Sequence, residues 1–198
     1  MKKLLAFALI AVSLLTGCGE KPGAAAPKQV FQGTDLTGAN FGRDFALTDH
    51  NGKPRTMADF KGKAVIMFFG YTQCPDVCPT TMAEMSEVMK QLGPQADQVQ
   101  VLFVTVDPER DTQKLLAEYV PAFDKRFLGL YGTAEQTAAV AKEFKVIYNK
   151  VPGTTKGSYS MDHTAASYVF DKDGKLRLLL RPGQPTSTTV HDLKLLLS

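Results

Sequence analysis

The stretch FFGYTQCPDVCPTTMAEM, residues 68–85, holds two cysteines, Cys74 and Cys78, between a strand-like apolar run and a helix-like segment. The preceding run KAVIMFFG, residues 63–70, is continuous and of strand length, as expected for a strand buried on both faces. Beyond the cysteines a helix is predicted from about Thr80 to Leu92. The cysteine pair therefore follows a buried strand and opens a helix.

That helix carries two further signals. Thr81 and Glu84 have the spacing of a capping box, which places the start of the helix near them. Apolar residues share one of its faces, and we assign its methionines to core packing rather than to thioether ligation of a metal. The shared face contains Met82, Met85, Val88, Met89 and Leu92.

The rest of the chain alternates predicted strands with predicted helices. Apolar positions alternate around Asn51 and Gly52, which predicts a hairpin. Further strands are predicted at 99–107, 127–132 and in two halves of 166–180, and helices at 112–123 (interrupted near Pro121), 134–146 and 186–197 (capped by Ser or Thr). The order predicts an α/β protein. Because the dithiol lies between a strand and a helix, we expect a thioredoxin-like fold with a central mixed sheet flanked by helices and an N-terminal β-hairpin extension.

The N-terminus has the features of an export signal. A basic start is followed by an apolar run at Leu4–Leu15, too short to span a bilayer comfortably, and then by LTGC, which ends at Cys18. This resembles a bacterial lipoprotein signal, in which the cysteine is lipidated; a cleaved signal peptide or a retained anchor are the alternatives. Residues 19–30 are rich in Gly, Ala and Pro, as a flexible tether is. We therefore predict a signal peptide at 1–17, a lipidated cysteine and flexible tether at 18–39 and one domain at 40–198.

The net charge and the number of cysteines limit the possible partners and the possible roles of the cysteine pair. Loss of residues 1–17 leaves 21 basic and 20 acidic residues, a net charge of +1, which argues against a nucleic-acid or strongly acidic partner. A lipid on Cys18 leaves Cys74 and Cys78 as an even pair. A structural disulfide across so short a loop would add little stability. The pair is therefore expected to be a redox switch or part of a metal site.

The position of the pair predicts its chemistry. Cys78 precedes Pro79 and the first helical turn, where unpaired N–H groups favour negative charge, so we expect its thiol to ionise easily. Turn residues around the cysteines predict that the pair lies at the surface. Three residues separate the cysteines, whereas thioredoxin-like oxidoreductases use two. In place of the cis-proline that those enzymes carry opposite the dithiol, this chain has SYSMDHTAASYVF, residues 158–170, without a proline.

This segment supplies a candidate third ligand. His163 is predicted on a loop just before a strand, opposite the cysteines. Two thiolates with one imidazole suit Cu(I), and Cu(II) also accepts such a set, whereas zinc would want a fourth ligand. His50, in the hairpin turn, and His191, in the last helix, are expected to face solvent.

The combined motifs resemble the Sco (SenC/PrrC) family of membrane-tethered, copper-binding thioredoxin-fold proteins. The resemblance covers about residue 40 to the C-terminus and rests on FGYTQCPDVCPTT (69–81), VTVDPERDT (104–112) and MDHTAASYVFD (161–171). It implies that Cys74, Cys78 and His163 are copper ligands. Asp107 either caps a turn or bonds near the cysteines. Asp111 and Thr112 are expected to cap the helix that follows.

The resemblance also implies a function and a location. One hypothesis is a metallochaperone that receives copper, Cu(I) or Cu(II), from other extracytoplasmic copper chaperones and delivers it to the CuA site of cytochrome c oxidase subunit II. A second is a thiol–disulfide reductase that keeps the cysteines of that site reduced, with Cys74 and Cys78 as the redox-active disulfide pair. A peroxiredoxin-like peroxidase is disfavoured, because Thr72 lies only two residues before Cys74. In either favoured case the lipid would hold the domain at the extracytoplasmic (periplasmic) face of a bacterial membrane.

Overall fold

A computed structural model describes residues 30–198. Its strands are β1 (Thr34–Asp35), β2 (Leu47–Asp49), β3 (Pro54–Arg55), β4 (Ala64–Gly70), β5 (Val99–Thr105), β6 (Leu128–Tyr131), β7 (Tyr148–Pro152), β8 (Tyr159–His163), β9 (Ser167–Phe170) and β10 (Leu176–Leu180). Its α-helices are α1 (Val77–Leu92), α2 (Gln113–Tyr119), α3 (Ala134–Glu143) and α4 (Thr186–Leu197). The predicted signal peptide, Cys18 and most of the tether lie outside the described residues.

Eight of the described strands form one mixed sheet in the order β1-β10-β9-β4-β5-β6-β2-β3. β4, β5 and β6 are parallel, and the other pairings are antiparallel. The predicted hairpin around Asn51 and Gly52 is present as β2–β3, at the edge of the sheet. The predicted fold class is therefore confirmed: the structure is a thioredoxin-like α/β sheet with an N-terminal hairpin.

The central strands are buried because helices cover both faces of the sheet. Every residue of β4 and β5 is buried. Successive side chains of a strand point to opposite faces. Phe68 packs against Phe103 on the face where α1 lies, and Phe69 packs against Phe144, just after α3, on the other face. α4 packs beside α1, so the two helices share their face of the sheet.

The predicted starts of α2, α3 and α4 agree with the structure within one residue, but the start of α1 and two predicted caps do not. α1 begins at Val77, after Asp76, whose side chain makes no capping bond, so the capping box predicted from Thr81 and Glu84 is wrong. Thr81 instead lies buried inside the helix, among the methionines, which pack in the core as predicted. The predicted Ser or Thr cap of α4 is also wrong, because Pro185 occupies that position. The break near Pro121 is confirmed: α2 ends at Tyr119 and a 3-10 turn follows.

A second, two-stranded sheet was not predicted. β7 and β8 pair only with each other among the described strands, with Tyr148 opposite His163. β7 is almost wholly exposed. Its sequence YNKVP does not show the alternation of apolar and polar residues that indicates a half-buried strand, so the pattern did not predict it. His163 is consequently the last residue of a strand, and the prediction that places it on a loop is wrong.

The ordered domain begins before residue 40. The backbone N–H groups of Gln32 and Gly33 donate to the buried carboxylate of Asp192, at 2.9 Å and 2.7 Å. β1 then pairs with β10 at the edge of the sheet. Residues 31–39 are therefore attached to the domain, although the sequence analysis assigns them to the tether. No helix within residues 30–198 is long and apolar enough to cross a membrane.

Candidate metal centre

Cys74, Cys78 and His163 meet at the ends of three elements. Cys74 lies in the turn after β4, Cys78 in the first turn of α1, and His163 at the end of β8. Their ligand atoms all lie within 4.8 Å of one another. Cys78 Sγ is 3.5 Å from His163 Nε2, and the Cys78 backbone N–H points to Cys74 Sγ, also at 3.5 Å. Both thiols are free. The structure thus brings the three predicted ligands together.

The imidazole of His163 is oriented for ligation through Nε2. Its Nδ1 lies 3.1 Å from the carbonyl oxygen of Thr164, an acceptor, so Nδ1 carries the hydrogen and Nε2 presents a lone pair toward the thiols. The rings of Phe68 and Tyr71 pack edge-on against the imidazole, with centroids 6.2 Å and 5.9 Å away. These contacts restrict the ring to one orientation.

Gly70 leaves room for the sulfur of Cys78. A Cβ at this position would lie 3.0 Å from Cys78 Sγ and 2.9 Å from the ring of Phe68. Such distances are shorter than van der Waals contact, so a side chain here would displace the cysteine. The glycine that ends β4 therefore lets the helix bring its thiol against the sheet.

The two thiols have different surroundings. Cys74 is half-buried, whereas Cys78 is fully buried, so the prediction of a surface pair is wrong for Cys78. Burial raises the pKa of the Cys78 thiol well above its ordinary value, although a hydrogen bond from the backbone of Tyr71 opposes the shift. The expectation that this thiol ionises easily is therefore wrong, because desolvation by burial raises its pKa.

Asp111 supports the loop that carries the cysteines. Its buried carboxylate accepts hydrogen bonds from the backbone N–H of Thr72 at 3.0 Å, from the Thr72 hydroxyl at 2.6 Å and from the Thr105 hydroxyl at 2.6 Å. Burial raises the pKa of this carboxyl despite those bonds. Asp111 thus joins the end of β5 to the start of the loop, and the helix-capping role predicted for it is wrong. Thr112 alone caps α2, as predicted, by accepting from the N–H of Leu115.

Asp107 lies near the centre but bonds to other groups. Its buried carboxylate accepts from the Tyr159 hydroxyl at 2.8 Å and pairs with the Nε of Arg110. Arg110 in turn donates to Gln73, the neighbour of Cys74. Of the two roles left open for Asp107, the structure favours the one near the cysteines, which Asp107 reaches through Arg110. Sequence reasoning missed Arg110 and Tyr159, although both lie inside or beside the quoted motifs.

The other two histidines differ from each other. His50 is buried and its Nδ1 accepts the N–H of Gly129 at 3.0 Å, so the prediction that it faces solvent is wrong. The side chain of His191 is 43% exposed and contacts Asp192 at 2.9 Å, on the last helix as expected.

The donor set is chemically soft. Thiolates and imidazole suit copper, and zinc in a structural site would require a fourth protein ligand. Within residues 30–198, Cys74, Cys78 and His163 are the group of His, Cys, Asp and Glu side chains that converges closely enough to hold an ion. The centre therefore fits a three-coordinate copper ion.

Comparison with known proteins agrees with the site and the fold. A family model described as SCO1/SenC matches residues 33–198. The protein SCO2 homolog, mitochondrial, of Bos taurus is 45% identical over 133 residues, which cover 66% of this chain and 50% of that protein. The chain thus spans about half the length of such mitochondrial relatives.

Solved structures resemble most of the described domain. Copper-bound ScoI of Bradyrhizobium japonicum is 43% identical, with a TM-score of 0.74, over 79% of this chain and 99% of that one. A SCO1/SenC family lipoprotein from Bacillus anthracis is 25% identical, with a TM-score of 0.71, over 85% of this chain and all of that one.

Proposed function

The chain belongs to the SCO1/SenC family, and we propose that it is a copper metallochaperone for the CuA site of cytochrome c oxidase subunit II. The observation that carries the proposal is the convergence of two free thiols and one imidazole nitrogen within 4.8 Å. Such a set holds a single soft ion. Supporting it, the related ScoI of Bradyrhizobium japonicum has been solved with copper bound.

The unequal burial of the ligands suggests an order of transfer. Cys74 is half-buried and lies in a turn, whereas Cys78 is buried beneath it. An incoming thiolate of the acceptor can therefore reach the copper ion from the side of Cys74. Ligand exchange would replace Cys74 first and Cys78 last. The ion keeps its soft ligands throughout, because each step exchanges one thiolate for another.

The same geometry leaves a second candidate function. A half-exposed thiol next to a buried one is also the arrangement of a dithiol reductant, in which the accessible thiolate attacks a disulfide and the buried one resolves the mixed disulfide. As a reductase the chain would keep the CuA cysteines of subunit II reduced. His163 separates the two functions, since dithiol exchange does not require an imidazole ligand.

We further propose that the protein is lipid-anchored at Cys18, on the extracytoplasmic face of the membrane. The sequence LTGC after the apolar run supports this, as does the likeness to a SCO1/SenC family lipoprotein. The anchor would hold the copper centre near a membrane-bound oxidase and near other extracytoplasmic copper chaperones.

The test is the variant His163→Ala, with His191→Ala as the matched control. The reduced wild-type domain and the control should each bind one copper, and His163→Ala should lose at least about tenfold in Cu(II) affinity, because nitrogen balances two thiolates on Cu(II). Disulfide exchange with a model disulfide should stay within about tenfold of wild type, since it depends on thiolate pKa and access.

The same variants decide between the functions in cells. A strain carrying His163→Ala should fail to assemble CuA-containing oxidase, and a strain carrying His191→Ala should assemble it normally. Normal oxidase in the His163→Ala strain would reject the metallochaperone and favour the reductase. Unchanged copper binding by the purified variant would remove His163 from the site.

A further inference from the structure

His163 is carried by a hairpin that lies apart from the main sheet. β7 and β8 pair with each other and with no other described strand, and the outward residues Ile147 and Val151 are 71% and 43% exposed. The ladder of the main sheet therefore constrains the imidazole only through the short link from His163 to β9, which begins at Ser167. Contacts between side chains must hold the hairpin against the domain.

Arg110 makes several of these contacts at once. Its Nη1 donates to Gln73 Oε1 at 3.1 Å and to the carbonyl oxygen of Tyr159, the first residue of β8, at 2.8 Å. Its Nε pairs with the buried carboxylate of Asp107. Its guanidinium also lies 3.6 Å from the centroid of the Tyr159 ring. One side chain thus connects the cysteine loop, the turn after β5 and the beginning of the hairpin.

Other contacts of the hairpin with the domain include one that is exposed and one that is buried. Lys150 pairs with Glu109, but these side chains are 45% and 63% exposed, and exposed ion pairs contribute little. Met161 is buried, and the hydroxyl of Tyr71 bonds to its backbone. The side chain of Arg110 is only 20% exposed and pairs with a carboxylate that is 1% exposed. Charged hydrogen bonds in such surroundings are the stronger ones.

We propose that Arg110 is the positioning residue for the histidine ligand, holding the hairpin β7–β8 against the cysteine loop so that His163 Nε2 faces the thiols. The inference builds on the proposed function in one respect, that His163 binds copper. Arginine suits the role because its planar fork donates in two directions while its face stacks on an aromatic ring. Lysine would keep the charge but lose both features.

The first test needs no metal. In the reduced, metal-free domain, nuclear Overhauser contacts between the rings of His163 and Tyr71, whose centroids are 5.9 Å apart, report on the position of the imidazole. Arg110→Gln should reduce these contacts at least about twofold. The control is Arg126→Gln, which removes an arginine paired with Asp124 at 2.6 Å in an exposed turn. The control should leave the His163 contacts unchanged.

Loss of Arg110 leaves the buried carboxylate of Asp107 without its cation, which alone could unfold the segment. The double variant Asp107→Asn/Arg110→Gln removes that charge, and Tyr159→Phe keeps the ring under the guanidinium while deleting the hydroxyl bond to Asp107. We expect the double variant to behave as Arg110→Gln does and Tyr159→Phe to have a smaller effect. Arg110→Lys should weaken the ring contacts as Arg110→Gln does. Ring contacts of wild-type strength in Arg110→Lys would contradict the proposal, because they would show that the charge alone positions the hairpin.

The second readout is copper. Arg110→Gln should lower Cu(II) affinity about tenfold and alter the thiolate-to-Cu(II) absorption and the electron paramagnetic resonance spectrum, while Cu(I) affinity changes less than about threefold, because two thiolates hold Cu(I). Unchanged ring contacts together with an unchanged Cu(II) spectrum would overturn the proposal. If the wild-type domain binds no copper, the proposed function fails, whereas the metal-free ring contacts still decide the role of Arg110.

Discussion

At the scale of single residues, His50 shows how burial turns a titratable side chain into a structural one. Its Nδ1 accepts the N–H of Gly129, which requires a neutral ring. Burial lowers the pKa of His50 from its ordinary value of 6.5, and the neighbouring Asp49 only partly opposes this. The unfolded chain therefore takes up a proton more readily than the folded one, so the contribution of His50 to stability is complete above about pH 6.5 and is lost as the pH falls below it.

The substitution His50→Ala tests this account. We expect a loss of about 1–3 kcal/mol in the free energy of unfolding at pH 8, because the N–H of Gly129 is left buried without a partner. The deficit relative to wild type should shrink as the pH falls below about 6.5, since only wild type must then protonate His50 on unfolding. Urea denaturation of the reduced proteins from pH 8 to pH 5 measures both effects. A deficit that stays constant over this range would contradict the assignment.

The sequence identifies residues whose role follows from their immediate neighbours in the chain, and it misses residues whose role depends on distant contacts. Cys74, Cys78 and His163 stand in recognisable motifs, and the structure brings their ligand atoms together. Asp111 and Arg110 stand in an equally recognisable motif, but its spacing also fits a helix start. Their bonds to Thr72 and Gln73 cross almost forty positions of the chain, and only the fold reveals such contacts.

At the scale of elements, the chain between residues 30 and 40 belongs to the sheet rather than to the tether. Asp192 is fully buried in α4 and accepts the N–H groups of Gln32 and Gly33. β1 adds a short strand to the edge of β10. A carboxylate buried with these partners becomes costly when they are removed.

Two truncated chains test this boundary. A chain that begins at Asn40 lacks β1 and both N–H groups that bind Asp192, whereas a chain that begins at Val30 keeps them. We expect the shorter chain to be less stable by about 3 kcal/mol, because the buried carboxylate of Asp192 loses two charged hydrogen bonds and keeps only its contact with His191. Urea denaturation of the two reduced chains gives the difference directly. Equal midpoints would mean that residues 30–39 add nothing to the fold.

The elements that the sequence predicted well are those whose burial is uniform. β4 and β5 are buried along their whole length, and their apolar runs indicate this without ambiguity. The hairpin β7–β8 was missed because tertiary contacts through Tyr159 and Met161, rather than an apolar pattern, hold it in place. The start of α1 was misplaced because Asp76, at the N-cap position, makes no capping bond, and the spacing of Thr81 and Glu84 offered a competing signal.

At the scale of the whole molecule, the topology brings the site together at one end of the sheet. β4 and β5 are parallel, so Gly70 and Thr105 end side by side, and the cysteine loop and the turn of Asp107 leave from the same edge. The hairpin then places His163 over this edge. The two cysteines come from one segment and His163 from another far along the chain, while the sheet beneath them is shared. Changes at the site should therefore alter its chemistry more than the stability of the domain.

Oxidation of the cysteine pair tests whether the chemistry of the site can change without a large change in the stability of the domain. Treating the reduced domain with diamide should join Cys74 to Cys78, with the loss of two hydrogens detectable by mass, and copper affinity should fall at least about tenfold, because only thiolates ligate. Global stability should rise by no more than about 2 kcal/mol, since the bridge closes a very short loop. Dithiothreitol should restore copper binding in full.

The control is Cys74→Ser, which cannot form the bridge and whose weaker copper binding should not respond to diamide. An oxidised wild-type domain that binds copper as tightly as the reduced one would place the site elsewhere, whereas a large gain in stability would identify the pair as a structural crosslink.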